Sequence, residues 1–136
     1  MTERFSVGFS ELVLIVNDVQ ASATFYREVV GLMPRNEADS AWAWFWTGEP
    51  EASQLLGLHK GTLLYEEESP HPEGQRWGAV HYAFRVPRER LEQAADHVRG
   101  NGIDVYGPQE FDWMKARSYY IYDPDGNLVE LWSPED

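Results

Sequence analysis

The chain has 136 residues, 43% of them apolar, and its 23 acidic and 11 basic side chains give a formal net charge of −12. This length predicts a single domain, residues 1–136, with a sizeable core. The negative charge excludes nucleic acid and anionic membrane as expected partners, because both bind basic surfaces. The absence of cysteine excludes disulfides and thiolate ligands, so any metal must be held by nitrogen and oxygen.

The start of the chain carries no targeting signal that we can recognise. It lacks a basic segment followed by an apolar run, and no stretch of the sequence is long enough to span a bilayer. We therefore expect a soluble protein of the cytoplasm, and the missing cysteines are compatible with that location.

The first third of the chain predicts a strand, a helix and a stop. Residues 12–16 form an aliphatic run suited to a strand buried on both faces. Asn17 and Asp18 then offer a helix N-cap, and Gly31 is placed to end the helix. The apolar residues between them recur at helical spacing. They are Phe25, Tyr26, Val29 and Val30.

Two further strands and a linker complete the first half. Trp42, Trp44 and Trp46 alternate on one face of a predicted strand, and residues 54–60 predict another. Residues 66–78 are charged and rich in proline and glycine, which predicts a linker between two halves.

The same order of elements then repeats. A strand is predicted at 81–86, Pro87 fits the first position of a helix, and residues 100–102 end that helix. The helix carries one buried stripe, formed by Leu91, Ala94, Ala95 and Val98. Strands follow around 103–106 and 118–122, and a closing strand comes after the next turn. The halves superimpose at an offset of 70, as Val16 and Val86 illustrate.

The closing hairpin is the most specific motif in the chain. Residues 123–126, Asp-Pro-Asp-Gly, have the composition of a tight turn. Period-2 alternation after the turn places Leu128 and Glu130 on one face of the strand. A carboxylate in an otherwise apolar strand must be paired or bound to a cation, because burial of an isolated charge is costly.

This turn and glutamate resemble the closing hairpin of the vicinal oxygen chelate superfamily, which includes glyoxalase I, extradiol dioxygenases, and fosfomycin and bleomycin resistance proteins. The resemblance covers residues 11–132 and implies an α+β fold. Two βαβββ modules would form a curved, barrel-like mixed sheet around a cavity. Module one would span about 8–65 and module two about 79–134. Two chains of the family often share the sheet, so a homodimer is expected.

The resemblance also implies a set of metal ligands. Glu11 occupies the position where the family more often has histidine, and His81 and Glu130 match directly. At the fourth position the alignment permits either Gly57 or His59. A divalent Zn, Ni, Mn, Co or Fe ion suits these nitrogen and oxygen donors. Two converging carboxylates would otherwise repel each other and raise one pKa.

Each of these residues also has a purely structural interpretation. Glu11 suits an exposed strand end, and His81 suits a hydrogen-bonded core histidine. Glu130 could pair with Arg117 or Arg85 without metal, and His59 suits the rim of a site.

The aromatic residues predict either a ligand cavity or core filling. The candidates for contacts with substrate are Trp44, Trp46, Trp113, Arg117 and Tyr120. Trp113 lies in an irregular segment, and Arg117 could hold an anionic group.

Two functions are compatible with these features. The first is a metal-dependent isomerase, lyase or epimerase acting on a small oxygenated substrate, in which Glu11 or Glu130 moves a proton. The second is a metal-free protein, resembling bleomycin resistance proteins, that sequesters a cationic aromatic compound. Glu11 in place of histidine disfavours extradiol cleavage. It also disfavours fosfomycin inactivation, as does the net charge.

Overall fold

The computed structural model describes residues 4–61 and 79–135, so the predicted linker at 66–78 lies outside the described residues. Module one contains β1 (Glu11–Val16), α1 (Val19–Thr24) continued by a π-helical segment (Phe25–Val30), β2 (Met33–Pro34), β3 (Trp42–Trp46) and β4 (Leu55–Lys60). Module two contains β5 (His81–Arg85), a 3₁₀ turn (Arg88–Arg90), α2 (Leu91–Gly100), β6 (Tyr106–Phe111), a 3₁₀ turn (Asp112–Met114), β7 (Ala116–Tyr122) and β8 (Leu128–Pro134).

The two modules have the same topology. The strand orders are β1-β4-β3-β2 and β5-β8-β7-β6, and in each sheet the first and last strands of the module run parallel. This confirms the predicted α+β fold of two βαβββ units. Strand pairing among the described residues does not close the two sheets into one barrel. No helix in the described part of the chain is long and apolar enough to cross a membrane.

Each sheet has one face packed against helices and one open face. In β1 only Leu14 and Val16 are buried, whereas Val13 and Ile15 are half-buried on the opposite face. The prediction that β1 is buried on both faces is therefore wrong, because the helical layer covers a single face of the sheet. The open faces carry the alternate residues of every strand, and Glu11, His81 and Glu130 are among them.

The predicted caps and turns are largely as expected. Asp18 is the N-cap of α1 and accepts a hydrogen bond from the Ala21 backbone N–H at 3.1 Å. Gly31 ends the helical segment at a φ of 86°, which glycine adopts without steric cost. Pro87 precedes a 3₁₀ turn rather than opening α2. The strand predicted around 103–106 instead begins at Tyr106 and runs to Phe111.

A buried hydrogen-bond network ties the closing turn to module one. The Asp123 carboxylate accepts from the backbone N–H groups of Asp125 at 3.0 Å and Asn127 at 2.8 Å. It also accepts from the Asn127 side-chain amide at 2.8 Å and from the Tyr26 hydroxyl at 2.6 Å. The Tyr26 hydroxyl contacts that of Tyr82 in addition. Because Tyr26 lies in the first helical segment, this single carboxylate joins the two modules.

Asp125 makes a second connection from the same turn. Its carboxylate accepts hydrogen bonds from the backbone and side-chain nitrogens of Asn17 at 3.0 and 2.9 Å, and from the Ser22 hydroxyl at 3.0 Å. The turn residues 123–127 therefore dock against both ends of the first helical turn of module one, besides reversing the chain.

The buried tyrosine predicts a loss of stability at alkaline pH. Burial, followed by the neighbouring Tyr82 and Asp123, raises the pKa of Tyr26 far above its ordinary value of 10.0. The folded protein keeps this proton after the unfolded chain has lost it, so the unfolded state binds fewer protons above pH 10. The free energy of unfolding should then fall by up to about 1.4 kcal/mol per pH unit for this group. In urea unfolding at pH 8 to 11, the free energy of unfolding should fall less steeply with pH in Tyr26→Phe than in the parent. The exposed Tyr122→Phe should show the same slope as the parent. Equal slopes in all three proteins would contradict the assignment.

Candidate functional site

The site is centred on Glu130, a buried carboxylate on the open face of the second sheet. Its residue is 7% exposed. One carboxylate oxygen lies 3.1 Å from Nε2 of His81. The other accepts a hydrogen bond from the Ser118 hydroxyl at 2.5 Å. Ser118 is a member of the site that sequence analysis missed, although its position two residues before Tyr120 on β7 places it on the same face.

Strand register explains why these side chains meet. β5 and β8 run parallel with His81 opposite Leu128, so Glu130 lies one step further along on the same face. Tyr120 lies directly opposite Glu130 across the antiparallel β7–β8 pair. Burial, and next the negative charge of Glu130, raises the pKa of the Tyr120 hydroxyl. The Tyr120 hydroxyl therefore keeps its proton beside this carboxylate, which is already its hydrogen-bond partner.

Arg117 does not belong to this face of the sheet. It alternates with Ser118 along β7, and its guanidinium pairs with Glu92 at 3.2 Å and Glu110 at 3.1 Å. The interpretation of Arg117 as a substrate-binding residue of this site therefore needs correction, and so does its pairing with Glu130. Arg85 lies over the Trp132 ring, 5.9 Å from its centroid, instead of pairing with Glu130. Histidine, not arginine, is the partner of the buried carboxylate.

Module one offers a direct comparison because its register is the same. Glu11 lies opposite Leu55 on β4 as His81 lies opposite Leu128 on β8. Two residues further along β4 comes Gly57, which is thus the internal counterpart of Glu130. His59 lies two residues beyond that position. The register therefore resolves the open alternative in favour of Gly57, and module one has no side chain where module two has its carboxylate.

The indole of Trp44 fills the space above Gly57. Trp44 lies opposite Gly57 across the β3–β4 pair, just as Tyr120 lies opposite Glu130. A Cβ atom at position 57 would lie 2.5 Å from Cζ3 of the Trp44 ring. The position that holds a carboxylate in module two is thus covered by an aromatic ring in module one.

Gly57→Ala is expected to lower the free energy of unfolding by about 1–3 kcal/mol, because the new methyl group overlaps the indole. Gly57→Ala should lower the free energy of unfolding by less in the Trp44→Ala background, where the indole is absent. Urea unfolding of the two single variants and the double variant measures this coupling. Strictly additive losses would show that the Trp44 ring is not what excludes a side chain at position 57.

The other aromatic candidates are distributed differently. Trp42 and Trp44 stack with centroids 5.3 Å apart and an interplanar angle of 8°. His59 stacks on the other side of Trp42 at 3.9 Å. Trp46 continues the same face of β3 and is half-buried. Trp113 is 81% exposed, so nothing encloses it against a ligand in one chain.

The geometry of His81 and Glu130 suits two ligands of one metal ion. The imidazole nitrogen and the carboxylate oxygen lie 3.1 Å apart, and both are donor types that bind divalent ions such as zinc. Ser118 would orient the carboxylate from behind, as partners of ligands commonly do. However, no group of three histidine or acidic residues in the described ranges could hold a metal. The predicted ligands Glu11 and His59 lie on the other sheet, so one chain does not assemble the expected set.

Comparison with known proteins agrees with this fold. The model of the Glyoxalase/Bleomycin resistance protein/Dioxygenase superfamily matches residues 8–131. Glutathione transferase FosA of Serratia marcescens is 29% identical over 124 residues, which cover 91% of this chain and 79% of that protein.

Two solved structures show the same architecture. Integron cassette protein HFX_CASS4, from the mobile metagenome of the Halifax Harbour sewage outfall, has a TM-score of 0.72 and 26% identity over 94% of this chain and 99% of its own. A FosX mutant from Listeria monocytogenes, complexed with Mn(II) and a dihydroxypropylphosphonic acid, has a TM-score of 0.69 and 20% identity over 96% and 93% of the two chains. With the repeated module and the match over most of its length, the chain belongs to the Glyoxalase/Bleomycin resistance protein/Dioxygenase superfamily.

Proposed function

We propose that this protein is a divalent-metal-dependent enzyme that acts on a small oxygenated substrate. The observation that carries the proposal is the buried Glu130 carboxylate, held 3.1 Å from His81 with no arginine or lysine paired to it among residues 4–61 and 79–135. A carboxylate with this little exposure calls for a cation. The half-exposed His81 leaves that position accessible from the open face of the sheet.

The ligand set is proposed to be completed by a second copy of the chain. His81 and Glu130 supply two donors, and Glu11 lies at the equivalent place on a sheet whose open face also lacks a cover. Pairing the open face of module one with that of module two from another chain would bring Glu11 to the His81–Glu130 pair. His59 would then stand at the rim, stacked on Trp42. We infer a homodimer of the cytoplasm with two such sites.

A bound divalent ion would act as a Lewis acid on two neighbouring oxygens of the substrate. Glu11 is exposed and is the carboxylate we assign to proton transfer, because both oxygens of Glu130 are engaged. The Tyr120 hydroxyl would hold Glu130 in place beside the substrate. Trp44 and Trp46 would hold the apolar part of the substrate from the facing sheet. These roles fit an isomerase, lyase or epimerase.

Fosfomycin belongs among the compounds to be tested, since similar proteins carry fosfomycin-resistance names. The net charge of −12 and Glu11 in the place of the more usual histidine argue against it. Turnover of fosfomycin by the metal-loaded protein would show that these two arguments do not hold.

A second function is favoured by the aromatic stack. Trp42 and Trp44 are nearly parallel, and Trp44 covers Gly57 where the other module has its carboxylate. A flat cationic compound would bind such a surface in an acidic protein without metal. This alternative is a sequestering protein that resembles bleomycin resistance proteins.

Metal content of the untagged protein, measured by mass spectrometry, tests the enzyme proposal. We expect near-stoichiometric metal in the parent and none in the His81→Ala/Glu130→Ala variant. The control is His97→Ala/Glu28→Ala, which removes the same residue types outside the site. Absence of metal in the parent, with no thermal stabilisation by added Zn, Ni, Mn, Co or Fe, would overturn the proposal. Binding of cationic aromatic compounds would then be measured by tryptophan fluorescence.

A further inference from the structure

A cavity lies between the modules, away from the His81–Glu130 pair. It has a volume of about 550 Å³ and opens between the end of the first helical segment, α2 and the end of β5. Phe84 to Pro87 form part of its wall, and His81 stands at the opposite end of β5. Arg85 lies four residue steps along the strand from His81, which corresponds to about 13 Å. The cavity is therefore distinct from the candidate metal site.

The charge of the cavity is opposite to that of the protein. Arg85, Arg90 and His97 all line it, and none of the described lining residues is aspartate or glutamate. The chain as a whole has 23 acidic residues against 11 basic ones. A cleft that is lined by basic side chains and has low-dielectric walls focuses a positive electrostatic potential. An anion that is repelled by the rest of the surface would thus find one favourable place.

The basic side chains differ in how they are engaged. The Nε2–H of His97 donates to the Glu28 carbonyl at 2.7 Å, which fixes that ring at the cavity wall. Arg85 lies over Trp132. Arg90 forms no ion pair with any carboxylate within 4–61 and 79–135, although Arg99, Arg117 and Arg27 all do. Arg90 is therefore the guanidinium most available to a ligand.

Much of the remaining wall is apolar, and Thr47 and Gln93 add polar side chains to it. Val29, Leu32, Phe84, Val98 and Leu131 contribute to the lining, and all five belong to or pack against the core. A volume of about 550 Å³ is within the usual range for small-molecule sites, which is about 300–1,000 Å³. An apolar group would be sheltered by these walls while an anionic head remained at the arginines.

We propose that this intermodule cavity binds a small organic anion with an apolar tail, of the medium-chain carboxylate class. The carboxylate would pair with Arg90 and lie near Arg85, and the tail would enter between the first helical segment and α2. This proposal does not depend on metal binding at His81 and Glu130.

Titration of the ¹⁵N-labelled protein with octanoate, followed by two-dimensional NMR, tests the proposal. Amide shifts should concentrate in residues 29–32 and 84–98, and octanamide, which has the same tail without charge, should bind at least tenfold more weakly. Arg90→Gln should weaken octanoate binding about tenfold, by loss of a charge-assisted contact. Arg88→Gln is the matched control, because Arg88 does not line the cavity and donates to the Ser133 carbonyl at 3.3 Å.

Ala94→Phe provides a second variant, since the larger side chain fills the cavity without changing its charge. It should abolish the octanoate-induced shifts, while the other amide signals keep their positions in the folded protein. The proposal would be overturned by absence of shifts in the cavity amides, by equal binding of octanoate and octanamide, or by equal weakening in Arg88→Gln and Arg90→Gln.

Discussion

Replacement of Asp123 by alanine is expected to destabilise the protein by about 3–5 kcal/mol, the largest loss we expect from one side chain. Asp123 is 5% exposed and its carboxylate accepts four hydrogen bonds. Three of the donors belong to the closing turn, and the fourth is the Tyr26 hydroxyl of module one. Alanine leaves the buried Tyr26 and Asn127 donors without their acceptor, and each such group costs about 1–3 kcal/mol.

Urea unfolding followed by circular dichroism measures this loss, with the exposed Asp104→Ala as control for removal of a charge. Tyr26→Phe should cost less, because it removes one donor and leaves the turn bonds intact. If Asp123 joins the modules as described, the losses in Asp123→Ala and Tyr26→Phe should be less than additive in the double variant. A loss below 1 kcal/mol in Asp123→Ala would show that the network contributes little.

The same residue illustrates how far the sequence leads. The Asp-Pro-Asp-Gly composition predicts the turn correctly, because the turn depends on local dihedral preferences. It does not predict that Asp123 and Asp125 bind residues about 100 positions earlier in the chain. Those contacts depend on how the modules dock, and no local pattern encodes that.

The candidate site was predicted to a similar extent. Alternation along β8 predicts that Glu130 shares one face of the strand with Leu128, and the family resemblance implies that it lies near His81. The sequence alone does not give the face on which Arg117 lies, since its position relative to Glu130 depends on the pairing of β7 with β8. Ser118 was overlooked because a serine in a strand carries no signal until its neighbour is known.

In module one, the sequence does not explain why position 57 is glycine. The structure does, because the Trp44 ring across the strand pair occupies the space that a side chain at position 57 would need. A tryptophan opposite glycine and a tyrosine opposite glutamate are two solutions for the same place in the repeat. The first provides an apolar surface and the second a buried carboxylate. This difference fits the proposal that the two modules supply complementary halves of one cavity.

Mixing two inactive variants is expected to restore a quarter of the parent's metal content. We propose that each site takes Glu11 from one chain and His81 with Glu130 from the other, so Glu11→Gln and Glu130→Gln dimers should both lack metal at both sites. A mixed dimer would contain one site with both substitutions and one site with neither. Random reassociation makes half of the dimers mixed, and half of their sites intact, which gives about one quarter.

The experiment requires unfolding the two variants together in urea, refolding them, and measuring bound metal per chain after removal of free ion. Refolding each variant alone provides the baseline, and refolded parent gives the full value. If Glu11 and Glu130 of the same chain met at one site, every chain in the mixture would carry a defect and no metal would return. Sedimentation equilibrium on the same samples gives the oligomeric state. Recovery near one quarter with a dimeric mass would assign the third ligand to the second chain.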